Sequence, residues 1–100
     1  MIRFRPAAAR ELAADFRYYE RTYPGRGARF VKAVDDALAQ IAETPTRFAI
    51  LLEPDIRSAK VRRFPYRVVY VVVEDVIDVI AVAHAKRRPG YWRRRAAKQS

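Results

Sequence analysis

Residues 60–91, KVRRFPYRVVYVVVEDVIDVIAVAHAKRRPGY, hold two runs rich in Val and Ile, back to back, with basic residues bordering both sides. Alternation within the runs predicts two strands, Tyr66 to Val73 and Val76 to His84, joined at Glu74-Asp75. With those two residues as the turn, Val73 faces Val76, Val71 faces Asp78, Val69 faces Ile80 and Arg67 faces Val82. The opposite face then carries Tyr66, Val68, Tyr70 and Val72 against Ala83, Ala81, Val79 and Ile77. That set is apolar or aromatic throughout and is a natural seat for helices. Ile56 to Phe64 supplies a further strand. If Phe64-Pro65 is a two-residue turn, Arg62 opposes Arg67 and Lys60 opposes Val69. Parity then projects Lys60, Arg62, Arg67 and His84 from the face the helices leave free.

Working back toward the N-terminus, residues 46–55 read as a connection with apolar anchors at Phe48, Leu51 and Leu52, and Pro54-Asp55 marks a turn. Before it, apolar positions at Phe30, Val34, Ala37, Leu38 and Ile41 predict a helix from about Gly27 to Glu43, ended by Thr44-Pro45. Ala8, Leu12, Phe16, Tyr19 and Tyr23 predict an earlier helix, opened by Pro6 and broken by Tyr23-Pro24-Gly25. Ile2-Arg3-Phe4-Arg5 alternates as a short strand. The expected order is therefore β-α-α-β-β-β, an α+β domain spanning residues 1–100. Its antiparallel sheet would be packed on one face by a helical hairpin, with a basic C-terminal tail from about residue 86.

Composition narrows the function. The net charge is +10. Residues 1–55 carry nine Lys/Arg and eight Asp/Glu, and residues 56–100 carry twelve and three. So lopsided a distribution points to a polyanionic partner. No apolar run approaches the roughly 20 residues needed to span a membrane, and the N-terminus lacks the apolar region of a signal peptide. The absence of cysteine excludes disulfide and thiolate chemistry and fits a cytoplasmic protein. Three glycines, at 25, 27 and 90, exclude a phosphate-binding loop and a dinucleotide fingerprint. One histidine and no His/Asp/Glu cluster at ligand spacing predict no metal and no cofactor.

What remains suits phosphodiester chemistry without metal. RNA can use its own 2′-hydroxyl as nucleophile, so the protein must supply a base, an acid and cations for the charge growing on phosphorus. Arg67 and Arg87 are candidates to clamp phosphate, and Lys60, Tyr91 or His84 to move protons. For Tyr91 and Trp92 two roles stay open: a tail docked on the sheet, or surfaces on which a base stacks. Lys86 to Ser100, with seven Lys/Arg and no acid, reads either as a solvated terminus or as an arm tracking phosphates.

The whole pattern, with Arg62-Arg63-Phe64-Pro65-Tyr66-Arg67 followed by His84-Ala85-Lys86-Arg87-Arg88-Pro89-Gly90-Tyr91-Trp92, resembles the RelE/ParE superfamily, the toxins of type II toxin–antitoxin (plasmid stabilisation) modules. The likeness spans nearly the whole chain, including Pro6-Ala7 and Arg29-Phe30. It implies a growth-inhibiting toxin neutralised by a small antitoxin protein in a hetero-oligomer. In RelE-like members the target is mRNA on the ribosome, cut without metal. Aligned on the Pro-Tyr-Arg step, Lys60, Arg67 and Arg87 match catalytic or phosphate-binding cations, and Tyr91 matches more loosely. Arg62, His84 and Trp92 are then candidate substrate-binding residues. Ser58 stands where such members carry a second lysine. The cations favour an endoribonuclease (mRNA interferase). The alternative is a ParE-like inhibitor of DNA gyrase with no nuclease site.

Overall fold

In the computed structural model, which describes residues 1–97, the stretch 60–91 forms the middle of a five-stranded sheet. The elements run β1 (Ile2–Phe4), α1 (Pro6–Thr22), α2 (Arg26–Glu43), β2 (Ile50–Leu52), β3 (Ile56–Lys60), β4 (Tyr66–Val73), β5 (Val76–His84) and α3 (Arg93–Ala97). Spatial order in the sheet is β1-β5-β4-β3-β2. The expected α+β architecture is present, with two differences. Residues 50–52 add a short edge strand where a plain connection was expected, and β1 pairs parallel to β5 while every other pair is antiparallel. A three-residue strand carries too little alternation to stand out from its apolar surroundings.

The helical hairpin forms where the apolar stripes put it. Pro6 occupies the first turn of α1, where its missing N–H is harmless. Gly25 adopts φ 89°, which a side chain would disfavour, and α2 starts at the next residue. The carboxylate of Glu20, still on α1, accepts the N–H groups of Gly25 (2.9 Å) and Gly27 (3.0 Å), so one helix caps the other. Gly27 is needed for contact: a Cβ there would lie 2.7 Å from the Phe16 carbonyl oxygen. The helices bury Ala8, Tyr19, Phe30, Val34, Leu38 and Ile41 against Tyr66, Val68, Tyr70, Ile77 and Val79. Tyr19, Phe30, Phe64 and Tyr66 form an aromatic knot, with ring centroids 4.8 to 6.3 Å apart.

The β4–β5 turn falls at Glu74-Asp75 as expected, with both residues at positive φ (50° and 68°), the conformation of a tight primed turn. Pairing follows the expected register from Val73/Val76 to Tyr70/Val79 and then slips. Ile80 is an extra residue, a β-bulge, after which Val69 opposes Ala81, Arg67 opposes Ala83 and Tyr66 opposes His84. The consequence is a swap of faces. Ile80 and Ala81 both join the far side of the sheet, and Val82 replaces Ala81 beneath the helices. That far side is not left free. Tyr91, Trp92 and Ala96 pack across Ile56, Val69, Val71, Ile80 and Ala81 as a second, smaller core.

Candidate functional site

Lys60 ends β3 and Arg67 is the second residue of β4, and they stand directly opposite each other on the face away from the helices. The register differs from the expected one by two residues, so parity, and with it the face of Lys60, is kept. Arg62 loses its place. It leaves the strand, lies in the turn between β3 and β4, and faces a different groove. Like charges facing across a ladder destabilise it, so this pair needs local support. The Lys60 ammonium donates to the carbonyls of Val61 (3.3 Å) and Phe64 (3.4 Å), and Arg67 Nη1 donates to Ser58 Oγ (3.2 Å). Ser58 is buried, and its short side chain leaves the cation room to lie along the sheet.

The chain after β5 closes the site. Ala85 extends the β4–β5 ladder by donating to the Pro65 carbonyl (2.8 Å), and successive turns carry residues 84–93 back over the sheet. The result is a cavity of about 420 Å³ whose wall includes Lys60, Arg67, His84, Arg87, Tyr91 and Trp92. Arg88 and Arg93 also line it, making five cations, and no acid does among the described residues. Of the seven residues singled out in the sequence, the fold therefore gathers six. Trp92, only 5% exposed, contributes as packing in the second core. The bulge turns His84 toward the helix side, where its ring meets Tyr66 edge-on at 4.8 Å while still reaching the cavity rim. Sequence parity had placed His84 on the other face, because a bulge leaves no mark in alternation.

One residue central to the site was not anticipated. Glu11, on α1, accepts the Val82 N–H (3.0 Å), the Tyr91 hydroxyl (2.7 Å) and Arg95 Nη2 (2.8 Å), with Arg87 Nη1 at 4.0 Å. Val82 needs such a partner because β1 stops opposite Val79 and leaves the edge of β5 bare. A signal was present: Ala8, Glu11, Asp15 and Tyr19 share one helical stripe whose ends are buried. Tyr91 is thereby fixed, with the guanidinium of Arg87 at 3.9 Å from its ring centroid and that of Arg95 at 5.1 Å. A second anchor lies below, where Arg5 binds the buried Asp78 through Nε and Nη2 (both 3.0 Å) and also donates to the Arg95 carbonyl. Asp78 Oδ1 has no hydrogen-bond partner among the described residues.

Protonation follows this geometry. Burial first, then the hydrogen bond to Glu11 and its charge, push the Tyr91 hydroxyl well above its ordinary range, against the opposing pull of Arg87 and Arg95. Burial and the nearby Asp15 do the same to Tyr66. Asp15 itself is raised, chiefly by burial. His84 Nδ1 accepts the Lys86 N–H (2.9 Å), which assigns the ring proton of the neutral form to Nε2. Lysine, arginine, this histidine tautomer and a tyrosine already donating to a carboxylate make the cavity a set of donors. Such a set is chemically suited to an anion. Among the described residues, no three His, Asp or Glu side chains gather as metal ligands, and no helix is long and apolar enough to cross a membrane.

The family model described as the ParE toxin of type II toxin–antitoxin system, parDE, matches residues 2–89. Solved structures of several toxin–antitoxin proteins share the fold. The chromosomal ParDE system of P. aeruginosa aligns with TM-score 0.74 at 16% identity, covering 85% of this chain and 95% of that one. A mutant of the E. coli toxin RelE in the free state gives 0.66 at 25% identity, covering 98% and 94%. The intact E. coli RelBE toxin–antitoxin complex gives 0.62 at 25% identity, covering 87% and 98%. No curated protein matches the chain.

Proposed function

The chain belongs to the ParE toxins of type II toxin–antitoxin systems, within the RelE/ParE superfamily, and from that membership we propose that it arrests growth by inhibiting DNA gyrase in the cytoplasm, held in check by a cognate antitoxin. The ParE family match carries the choice of target, and the geometry adds to it, because the cavity's side chains are placed chiefly as hydrogen-bond donors. A metal-free ribonuclease must take the proton from a 2′-hydroxyl. Tyr91 donates to Glu11, the histidine lone pair at Nδ1 faces the Lys86 N–H, and Ser58 supports Arg67 instead of adding a second amine. Such a site grips phosphate or carboxylate without cutting it. Solved relatives include toxin–antitoxin complexes, which supports the antitoxin partner. Purified gyrase incubated with the protein is expected to lose supercoiling and accumulate cleaved DNA, and unaffected supercoiling would count against this function.

A second function keeps specific support. Lys60, Arg67 and Arg87 converge on one cavity, as cations do where a phosphodiester is to be broken. Metal-independent cleavage of mRNA on the ribosome is therefore the alternative. Primer extension on cellular mRNA after induction separates the two, because cleavage produces codon-phased ends that Arg67→Ala removes and gyrase inhibition produces none.

A further inference from the structure

The turn of residues 61–65 between β3 and β4 has cations on both flanks. One flank is the cavity of Lys60, Arg67 and Arg87. The other is a groove of about 560 Å³ between the turn and the first half of α2, walled by Arg26, Arg29, Lys32, Arg62 and Arg63. Asp36, the acid on its wall, is engaged by Lys32 at 3.3 Å. Arg26 is anchored, its guanidinium 5.2 Å from the Tyr19 ring centroid and 5.8 Å from that of Phe64. By contrast, the side chains of Arg29, Arg62 and Arg63 are exposed and make no ion pair or hydrogen bond among the described residues. Arg63 is held at φ 70°, a conformation that favours glycine, so the turn presents this side chain against a backbone preference.

We propose that this groove is a second phosphodiester-binding site, and that a nucleic-acid strand crosses the 61–65 turn from the groove into the cavity. Unpaired guanidinium groups around a concave surface repel one another until an anion enters, and the planar guanidinium fork matches phosphate oxygens. Cations on both sides of one turn fit a ligand whose charges repeat at regular short intervals, as along a nucleic-acid backbone. Phe64, on the groove wall, and Tyr19, against which Arg26 is anchored, hold the rim of the groove in place. This goes beyond gyrase inhibition and does not depend on it.

The test is equilibrium binding of the full chain to a labelled single-stranded DNA, the same sequence as RNA, its duplex, and polyglutamate of equal charge. The variant R29Q/R62Q/R63Q is compared with R10Q/R17Q/R21Q, which removes equal charge from the exposed side of α1. The groove variant is expected to lose about tenfold or more in affinity and to flatten the salt dependence by about two to three released ions, the control much less. Groove-dependent binding of DNA, RNA or both supports the site, and their ranking names the backbone it takes. Equal losses in the two variants would show that net charge alone is at work and overturn the proposal. So would tighter groove-dependent binding of polyglutamate than of any oligonucleotide. Fluorescence of Trp92 verifies folding, and the single exposed change Arg62→Gln, expected to give a smaller loss in the same direction, serves if the triple variant does not fold. No gyrase is present in the assay, so its outcome is separate from that of the supercoiling measurement.

Discussion

Glu11 does more for the molecule than any other single charged side chain described. It completes the bare edge of β5 and ties α1 to Tyr91 and Arg95. Glu11→Ala leaves a backbone N–H, a hydroxyl and a guanidinium without their acceptor, and is expected to cost about 2–3 kcal/mol in urea unfolding. Arg67→Ala should behave in the opposite way. Arg67 is exposed and faces Lys60, so stability is expected to hold within about 0.5 kcal/mol or to rise slightly. Growth arrest on induction, in contrast, should weaken about tenfold or more, the loss expected when a charge-assisted contact is removed. Tyr66 and Tyr91 keep their protons above the ordinary value of 10.0. The unfolded chain releases those protons near that value while the folded chain retains them, so the folded state binds more protons and stability falls as pH rises past about 10. Tyrosinate absorbance followed alongside Trp92 fluorescence should show these two hydroxyls ionising only as the fold is lost.

Among the elements, turns and helix contacts show where sequence and structure part. The β4–β5 turn was legible because alternation runs up to Glu74-Asp75 from both sides, even though neither residue is glycine. Both bear the strain of positive φ, so the double change E74N/D75G, which installs the pair such a turn prefers, is expected to raise stability by about 0.5–1 kcal/mol in thermal unfolding. Gly27→Ala should do the reverse, losing about 1–3 kcal/mol, because the added carbon meets the Phe16 carbonyl of the neighbouring helix. The helices, β3, β4 and the first half of β5 were all readable from periodicity. The bulge at Ile80 was not, since one extra residue inside a run of Val, Ile and Ala leaves no polar mark. It moved His84, Ala81 and Val82 across the sheet, yet Lys60 and Arg67 kept their face because the β3–β4 register differed by an even number. Arg62 was lost for a local reason: residues 61–65 make a longer turn than Phe64-Pro65 alone, and the strand ends at Lys60.

For the molecule as a whole, three layers replace the two that sequence suggested: helical hairpin, sheet, and the segment that follows β5. The third layer hinges on Trp92, whose indole covers the far side of the sheet. Trp92→Ala is expected to cost about 3–5 kcal/mol and to loosen the wall of the cavity, which chemical unfolding and weaker growth arrest would both register. The tail was expected to start near residue 86; Tyr91, Trp92 and Ala96 of it pack on the sheet, and residues 98–100 lie outside the described part of the chain. Candidate cations at Lys60, Arg67 and Arg87 were legible as a basic border around apolar strands, whereas Glu11 came from a helix distant in sequence. The pairing of β1 with β5 sets a schedule for the chain. Ile2 pairs with Ile77, so the first strand to leave a ribosome waits, unpaired, until nearly the last strand is made. Neither the cavity nor its lid exists before then. A chain that stops before β5 is therefore expected to leave β1 unpaired and the cavity unbuilt.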